Sequence, residues 1–195
     1  MYVNYIKPIC DWLIALIAFP FFCIIWICVA IAIKLEDGGP VFYMAERIGK
    51  NSKKLMMYKF RSMKVNAENI TNPDGSTYNS KDDPRVTKVG KFLRETSLDE
   101  TAQILNMLKG EMSLIGPRAS GWSALSSYKP DEIHKMNVRP GISGYTQAYY
   151  RNSISVREKR LKDAWYADNI SFWLDVKIFF KTIQTVLKHE NVYTN

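Results

Sequence analysis

Histidine and cysteine are scarce in this chain. Of 195 residues only His134 and His189 are histidine, and the three cysteines, Cys10, Cys23 and Cys28, all fall in the first 28 positions. There is no CxxC pair and no Cys/His cluster, which argues against a zinc site and against a disulfide framework. The thiols read as buried or lipid-facing. Internal repeats, heptad arrays and low-complexity tracts are missing too, and so is any RNA- or DNA-binding signature. Acidic residues are in deficit: 27 Lys and Arg against 19 Asp and Glu leave a net charge of +8. That excess suits an anionic partner: nucleic acid, a phosphorylated substrate or an acidic membrane surface.

What the chain does have is one long uncharged stretch. Trp12 to Ile33 is 22 residues without a charge, about 33 Å as a helix and just enough to cross the hydrocarbon. It lacks the short apolar core and small-residue cleavage site of a signal peptide. Pro20 lies inside the run, where proline removes a helical hydrogen bond and kinks or breaks the helix. Two geometries stay open: a kinked spanning helix, or a helix that breaks at Pro20 and returns to the same face. Lys34, Arg47, Lys50, Lys53 and Lys54 follow the run while only Lys7 precedes it, which puts the C-terminal part in the cytoplasm.

Glu36 to Pro40 is a turn signal. Val41 to Met63 reads as a strand or two with a turn near Gly49-Lys50-Asn51. Asn66 to Arg85 reads as a polar loop whose length suggests function or mobility; its sequon Asn69-Ile70-Thr71 has no meaning in a cytoplasmic domain. Ser97 to Lys109 is the clearest helix, with Ser97 and Glu100 in an S-x-x-E capping box and Gly110 as its stop. Ser123 to Met136 reads as helix broken at Lys129-Pro130, and Val156 to Tyr166 as a charged helix. Phe172, Val176, Phe179, Phe180, Ile183 and Leu187 share one helical face, which either packs on the core or lies in a membrane interface.

The chemistry gathers around Asp99 and Glu100. Glu100 has a plain structural use in the capping box. Asp99 is not needed there and stands in a first helical turn, where the macrodipole favours an ionised carboxylate. Such a carboxylate can ligate a hard divalent metal or attack phosphorus. Arg94, Gly116-Pro117-Arg118 and Arg139-Pro140-Gly141-Ile142-Ser143-Gly144 bring arginines on rigid turns, with glycines that let backbone approach a ligand closely. Lys59-Phe60-Arg61 adds two more cations.

The strings GPVFYMAERIGK (39–50), YKFRSM (58–63), DDPRVTKVGKFLRETSLDE (82–100), MSLIGPR (112–118), RPGISG (139–144) and DAWYADNISFWLDVKIFFKT (163–182) stand in one order. On them the chain resembles the small monotopic phosphoglycosyl transferases of bacteria, the polyprenol-phosphate sugar-1-phosphate transferases. The resemblance implies an α+β, mainly helical fold: a re-entrant membrane helix (1–34) turning at Pro20, then a membrane-associated catalytic domain (35–195) at the cytoplasmic face of the bacterial inner membrane, with interfacial amphipathic helices. It implies Asp99 as the nucleophile on a UDP-sugar, Glu100 as its catalytic partner, and Mg2+ near the dyad with Asp99 as ligand. UMP leaves, and polyprenol phosphate takes the sugar-1-phosphate. Lys59, Arg61, Arg94, Arg118, Arg139, Arg151 and Asp163 are the matching substrate-binding positions, and Asp175 is an acidic position of undefined role.

Departures from the family pattern are Phe19-Pro20 in place of Ser-Pro, Tyr145 in place of tryptophan, and Tyr149-Tyr150-Arg151-Asn152 in place of an Asn-Gly-Arg-like stretch. They bear on recognition more than on chemistry. The multi-span N-terminal region of larger members has no counterpart in this sequence, so the resemblance implies a minimal catalytic unit. The rival reading is a non-enzymatic membrane-anchored basic module binding anionic lipid or nucleic acid; it leaves the acidic pair among arginines unexplained.

Overall fold

The structure, a computed structural model, describes residues 1–68, 70, 78, 80 and 82–188. The sequon and most of the expected polar loop therefore lie outside the described residues. The fold is mainly helical α+β, with two small two-stranded sheets.

A short π-helical turn, Tyr2–Ile6, leads into α1, Lys7–Asp37. No break occurs at Pro20, where one was expected: α1 is helical on both sides of the proline. It is the one helix among the described residues long and apolar enough to cross a membrane by length and composition. Nearly every residue is apolar, yet only a narrow stripe is buried: Lys7, Asp11, Ala15, Phe22, Val29 and Ile33. Spacings of four and seven keep that stripe on one helical face. It joins the main core with Leu55, Met57, Phe60, Leu93, Ala102 and Met107. Ala18, Phe19 and Ile25 are half-buried beside it, while many of the other apolar side chains, among them Ile9, Ile17, Phe21, Ile24 and Ile31, are exposed.

Both ends of α1 are tied to the same body of protein. Near its start, Lys7 Nζ meets Asp175 Oδ2 at 2.6 Å, and Asp11 accepts from Ser113 Oγ at 2.7 Å and the Leu114 N–H at 3.0 Å. At its end, Asp37 pairs with Arg61 at 2.5 Å, and Glu36 accepts from the Lys88 and Val89 N–H groups, capping α2 (Lys88–Glu95). Lys7, Asp11, Arg61 and Asp175 are buried, and buried ionic groups persist only when paired and hydrogen-bonded.

The hairpin β1 (Phe42–Ile48) and β2 (Lys54–Phe60) forms as the alternation predicts, with its turn at 49–53. β3 (Ser113–Ile115) pairs in parallel with β4 (Gly141–Ser143). Their flanking turns meet backbone to backbone: a Cβ on Gly141 would lie 2.1 Å from Gly116 N, and one on Gly144 would lie 2.0 Å from Gly116 O. These glycines serve the contact between the two arginine turns, and not the approach to a ligand that the sequence suggested.

The helix expected over 97–109 forms differently. Leu98–Gln103 is a 3-10 segment and only Ile104–Leu108 (α3) is α-helical. Ser97 has φ of 59° and makes no side-chain cap, so the capping box is absent. Gly110 ends the segment at φ of 74°, as expected. The expected helix between 123 and 136 is two 3-10 segments, Trp122–Ser127 and Ile133–Asn137. α4 (Tyr145–Tyr149) follows β4, and α5 spans Val156–Asp168. A capping box does occur at the start of α5, between Ser155 and Glu158.

α6 (Phe172–Leu187) decides against a core-facing apolar stripe. The inward side is largely polar: Asp175, Thr185 bonded to the Ala148 carbonyl at 2.8 Å, and Thr182 bonded to Ser143 at 2.7 Å, with Ile178 fully buried between them. Of the expected stripe, Phe172, Phe179, Phe180, Ile183 and Leu187 are exposed, Phe180 at 64%, and Val176 is half-buried; Trp173 beside them is 70% exposed. The core-facing reading fails for that stripe. Tyr2 stacks edge-on against Phe172 at 6.0 Å, so the exposed apolar surfaces of α1 and α6 join at the N-terminal turn.

Candidate active site

Asp99 and Glu100 lie in the 3-10 segment that packs against β2. Lys59 reaches them from β2, with Nζ 2.8 Å from Glu100 Oε1 and 3.3 Å from Asp99 Oδ2. Arg118 Nη2 approaches Glu100 Oε1 at 3.3 Å. Glu100 therefore holds two cations in place of the capping role that its spacing suggested. Ser97 in the left-handed conformation has turned its hydroxyl away from that duty, and a tertiary lysine has taken the carboxylate.

The two carboxyls are pushed in opposite directions. Burial raises Asp99, with the Glu100 charge adding to it, and Lys59 and Arg94 only partly oppose the rise. Burial also works to raise Glu100, but Lys59 and Arg118 outweigh it and hold the group at about 2. Glu100 is thus the firmly ionised anchor of the cations, and Asp99 the more basic oxygen donor. Two neighbouring acids with separated affinities can divide their duties, one positioning charge and the other donating electrons.

The other expected site residues are placed as follows. Arg94, on α2, donates from Nε to Ser62 Oγ at 3.0 Å, and its charge acts on Asp99. It also lines a cavity of about 290 Å³ with Asp83, Lys88 and Lys91. Arg61 is taken up by Asp37, Pro40 O and Met63 O, which use four of its five donors. Its place is the clasp at the end of α1, and not the dyad. Arg139 reaches Asp11 and the Gly110 carbonyl, each at 3.4 Å, and belongs to the clasp at the start of α1.

Asp163 is 1% exposed and binds protein on both oxygens: Lys135 Nζ at 2.9 Å, the Arg118 N–H at 3.2 Å and Thr146 Oγ1 at 2.8 Å. It fixes the main chain of Arg118 where a substrate contact was expected. Arg151 stands in the turn after α4 at φ of 46°. Asp175 joins Lys7, Tyr2 and Tyr166 at 2.5–2.7 Å, which gives it a fastening role.

Sequence reasoning passed over Lys135, Asp11 and Arg47. Asp11 had a signal: a lone carboxylate at the edge of a membrane-length apolar run needs a partner. Arg47 stands in the motif string 39–50 without an assigned role, and Lys135 had no signal beyond charge.

Among the described residues no group of three or more His, Cys, Asp or Glu could hold a metal. The dyad still fits a hard cation that takes one or two protein carboxylates and completes its shell with phosphate and water, as Mg2+ does. Asp99, with Lys59 only at 3.3 Å, is the better placed ligand.

The family model for bacterial sugar transferases matches residues 2–189. A UDP-N-acetylgalactosamine-undecaprenyl-phosphate N-acetylgalactosaminephosphotransferase of Aeromonas hydrophila is 41% identical over 94% of this chain and 44% of its own length. A UDP-glucose:undecaprenyl-phosphate glucose-1-phosphate transferase of Escherichia coli is 38% identical over 88% of this chain and 37% of its own. An exopolysaccharide production protein, ExoY, of Rhizobium meliloti is 36% identical over 94% of this chain and 86% of its own. Against the first two the chain spans about two fifths of the relative.

Proposed function

The chain belongs to the bacterial sugar transferase family, and from that membership we propose that it moves a sugar-1-phosphate from a UDP-sugar to polyprenol phosphate, releasing UMP. The observation that carries the reading is the geometry of the dyad: Glu100 is locked to Lys59 at 2.8 Å and Arg118 at 3.3 Å, while Asp99 beside it meets, among the described residues, only Lys59, at 3.3 Å. Asp99 attacks the sugar-bearing β-phosphorus, and the bond to the bridging oxygen breaks, with its electrons leaving on UMP. The acceptor phosphate oxygen then attacks the same phosphorus and returns Asp99 as a free carboxylate. A carboxylate meeting a diphosphate needs its repulsion cancelled; Lys59 and Arg118, steadied by Glu100, supply part of that. Mg2+, held by Asp99, would neutralise phosphate charge when bound.

The purified full chain, incubated with undecaprenyl phosphate and a panel of UDP-sugars, is expected to release UMP with at least one donor. EDTA should stop the release and Mg2+ restore it. No UMP from any donor would sink the reading; full activity after thorough chelation would sink the metal.

The same proposal places the protein at the cytoplasmic face of the inner membrane, with α1 entering and leaving on one side. Support comes from the clasps: Lys7 and Asp11 at one end of α1, and Glu36 and Asp37 at the other, all bind the same domain. Since α1 stays helical through Pro20, the return to the same face would come from a kink at the proline and not from a break. The outward aromatics of α6 extend the buried-in-lipid surface. In cells carrying a variant free of Cys10, Cys23 and Cys28, a cysteine at Asn4 should resist an impermeant thiol reagent until the cells are opened. Ready labelling from outside would mean a spanning helix.

A further inference from the structure

Arg47 lies outside the machinery described so far. It is the penultimate residue of β1. Register puts Tyr43, Ala45 and Arg47 opposite Lys59, Met57 and Leu55. Directly opposed residues of an antiparallel pair project on the same face, so Arg47 and Lys59 share one side of the hairpin. The chain after Arg118 is laid along that strand: Ile48 N–H donates to Ser120 O at 2.9 Å, and Arg47 and Gly121 form an antiparallel bridge. The guanidinium lies against Gly121, where a Cβ would be 3.3 Å from Nη1.

Two features of this guanidinium call for an anion. Its buried Nε has no acceptor among the described residues, and a buried donor left unpaired is costly. It also sits near a second guanidinium: burial and then the Arg118 charge pull its proton affinity down, while Tyr43 and Glu100 pull it up. Around two carboxylates the site thus gathers four cations, Lys59, Arg94, Arg118 and Arg47. That surplus of positive charge matches a dianion arriving between Arg47 and Arg118.

We infer that Arg47 binds a phosphate oxygen of the donor's diphosphate, acting with Arg118 as a two-arginine clamp on the nucleotide side of the site. This rests on the sugar-phosphate transfer proposed above. The direction of β1 selects the donor over the lipid acceptor. Its first residue, Phe42, packs against Trp26 of α1 at 5.4 Å. Five residues on, at about 3.3 Å each, Arg47 lies at the end of the strand away from the apolar helix. The water-soluble nucleotide approaches there, and polyprenol phosphate arrives beside α1.

The test uses the full chain with the UDP-sugar that gives most UMP release. In Arg47→Gln the donor KM should rise about 10- to 100-fold, as expected for loss of a charge-assisted hydrogen bond. The KM for undecaprenyl phosphate should stay within about twofold, and the Kd for UDP by calorimetry should weaken in step with the donor KM. Arg47→Lys keeps the charge without the fork and should lie between. If Arg47→Gln melts early, Arg47→Lys decides by the same two readouts. Unchanged donor KM and UDP affinity in an active enzyme would overturn the inference, as would a shift confined to the lipid acceptor. An inactive native enzyme would instead overturn the transfer reading beneath it.

Discussion

Asp99→Asn is expected to abolish UMP release, by at least about 10⁴-fold, as loss of a covalent nucleophile does. The amide keeps the shape of the side chain but has no electron pair basic enough to attack phosphorus. The fold should survive, because Lys59 is held more closely by Glu100, at 2.8 Å, than by Asp99, at 3.3 Å. Removing the Asp99 charge leaves that lysine paired, so no buried cation is stranded. Intact-mass measurement of the native enzyme with UDP-sugar and no acceptor should show the added mass of a phosphosugar, and the variant should show none. An adduct on Asp99→Asn would move the nucleophile elsewhere and undo the division of labour proposed for the dyad.

That division was only half legible in the sequence. The adjacent acids and the arginine turns were visible, but the spacing Ser97-x-x-Glu100 pointed to a cap. Local pattern cannot report that Lys59, forty-one residues upstream of Glu100, will claim the carboxylate. The same blindness accounts for Arg61, Arg139 and Asp163: each has a partner distant in the chain, Asp37, Asp11 and Lys135 respectively, and no motif carries such a pairing. The β1–β2 hairpin was legible because its alternation and turn residues are local. α6 showed its apolar stripe but not its orientation. A stripe normally turns inward, and here the inner side is instead tied by Asp175, Thr182 and Thr185. In α1 the buried stripe is hidden by the apolar residues around it, so only the structure separates the face that packs from the face left outside.

Asp163 gives the sharpest contrast with Asp99. Asp163→Asn should destabilise the protein, because it leaves the Lys135 ammonium, 7% exposed, without its counter-charge. Breaking one side of a buried pair costs about 3–5 kcal/mol, and for a chain of this size that lowers the melting temperature by roughly 10 °C. The Arg118 N–H is then left with at most a neutral amide oxygen in place of the carboxylate, so activity should fall as Arg118 is held less firmly. The double variant Asp163→Asn with Lys135→Met removes both charges and should recover part of the lost stability, since replacing a whole buried pair is far less costly than breaking it. Activity should recover less than stability, because the neutral amide oxygen is a weaker acceptor for the Arg118 N–H than the carboxylate. Thermal melts of the three proteins, read beside donor KM and kcat, decide between the two roles. If Asp163→Asn melts like the native chain and only the donor KM rises, then Asp163 is the substrate contact that the sequence suggested, and the buried fastening described here carries no weight.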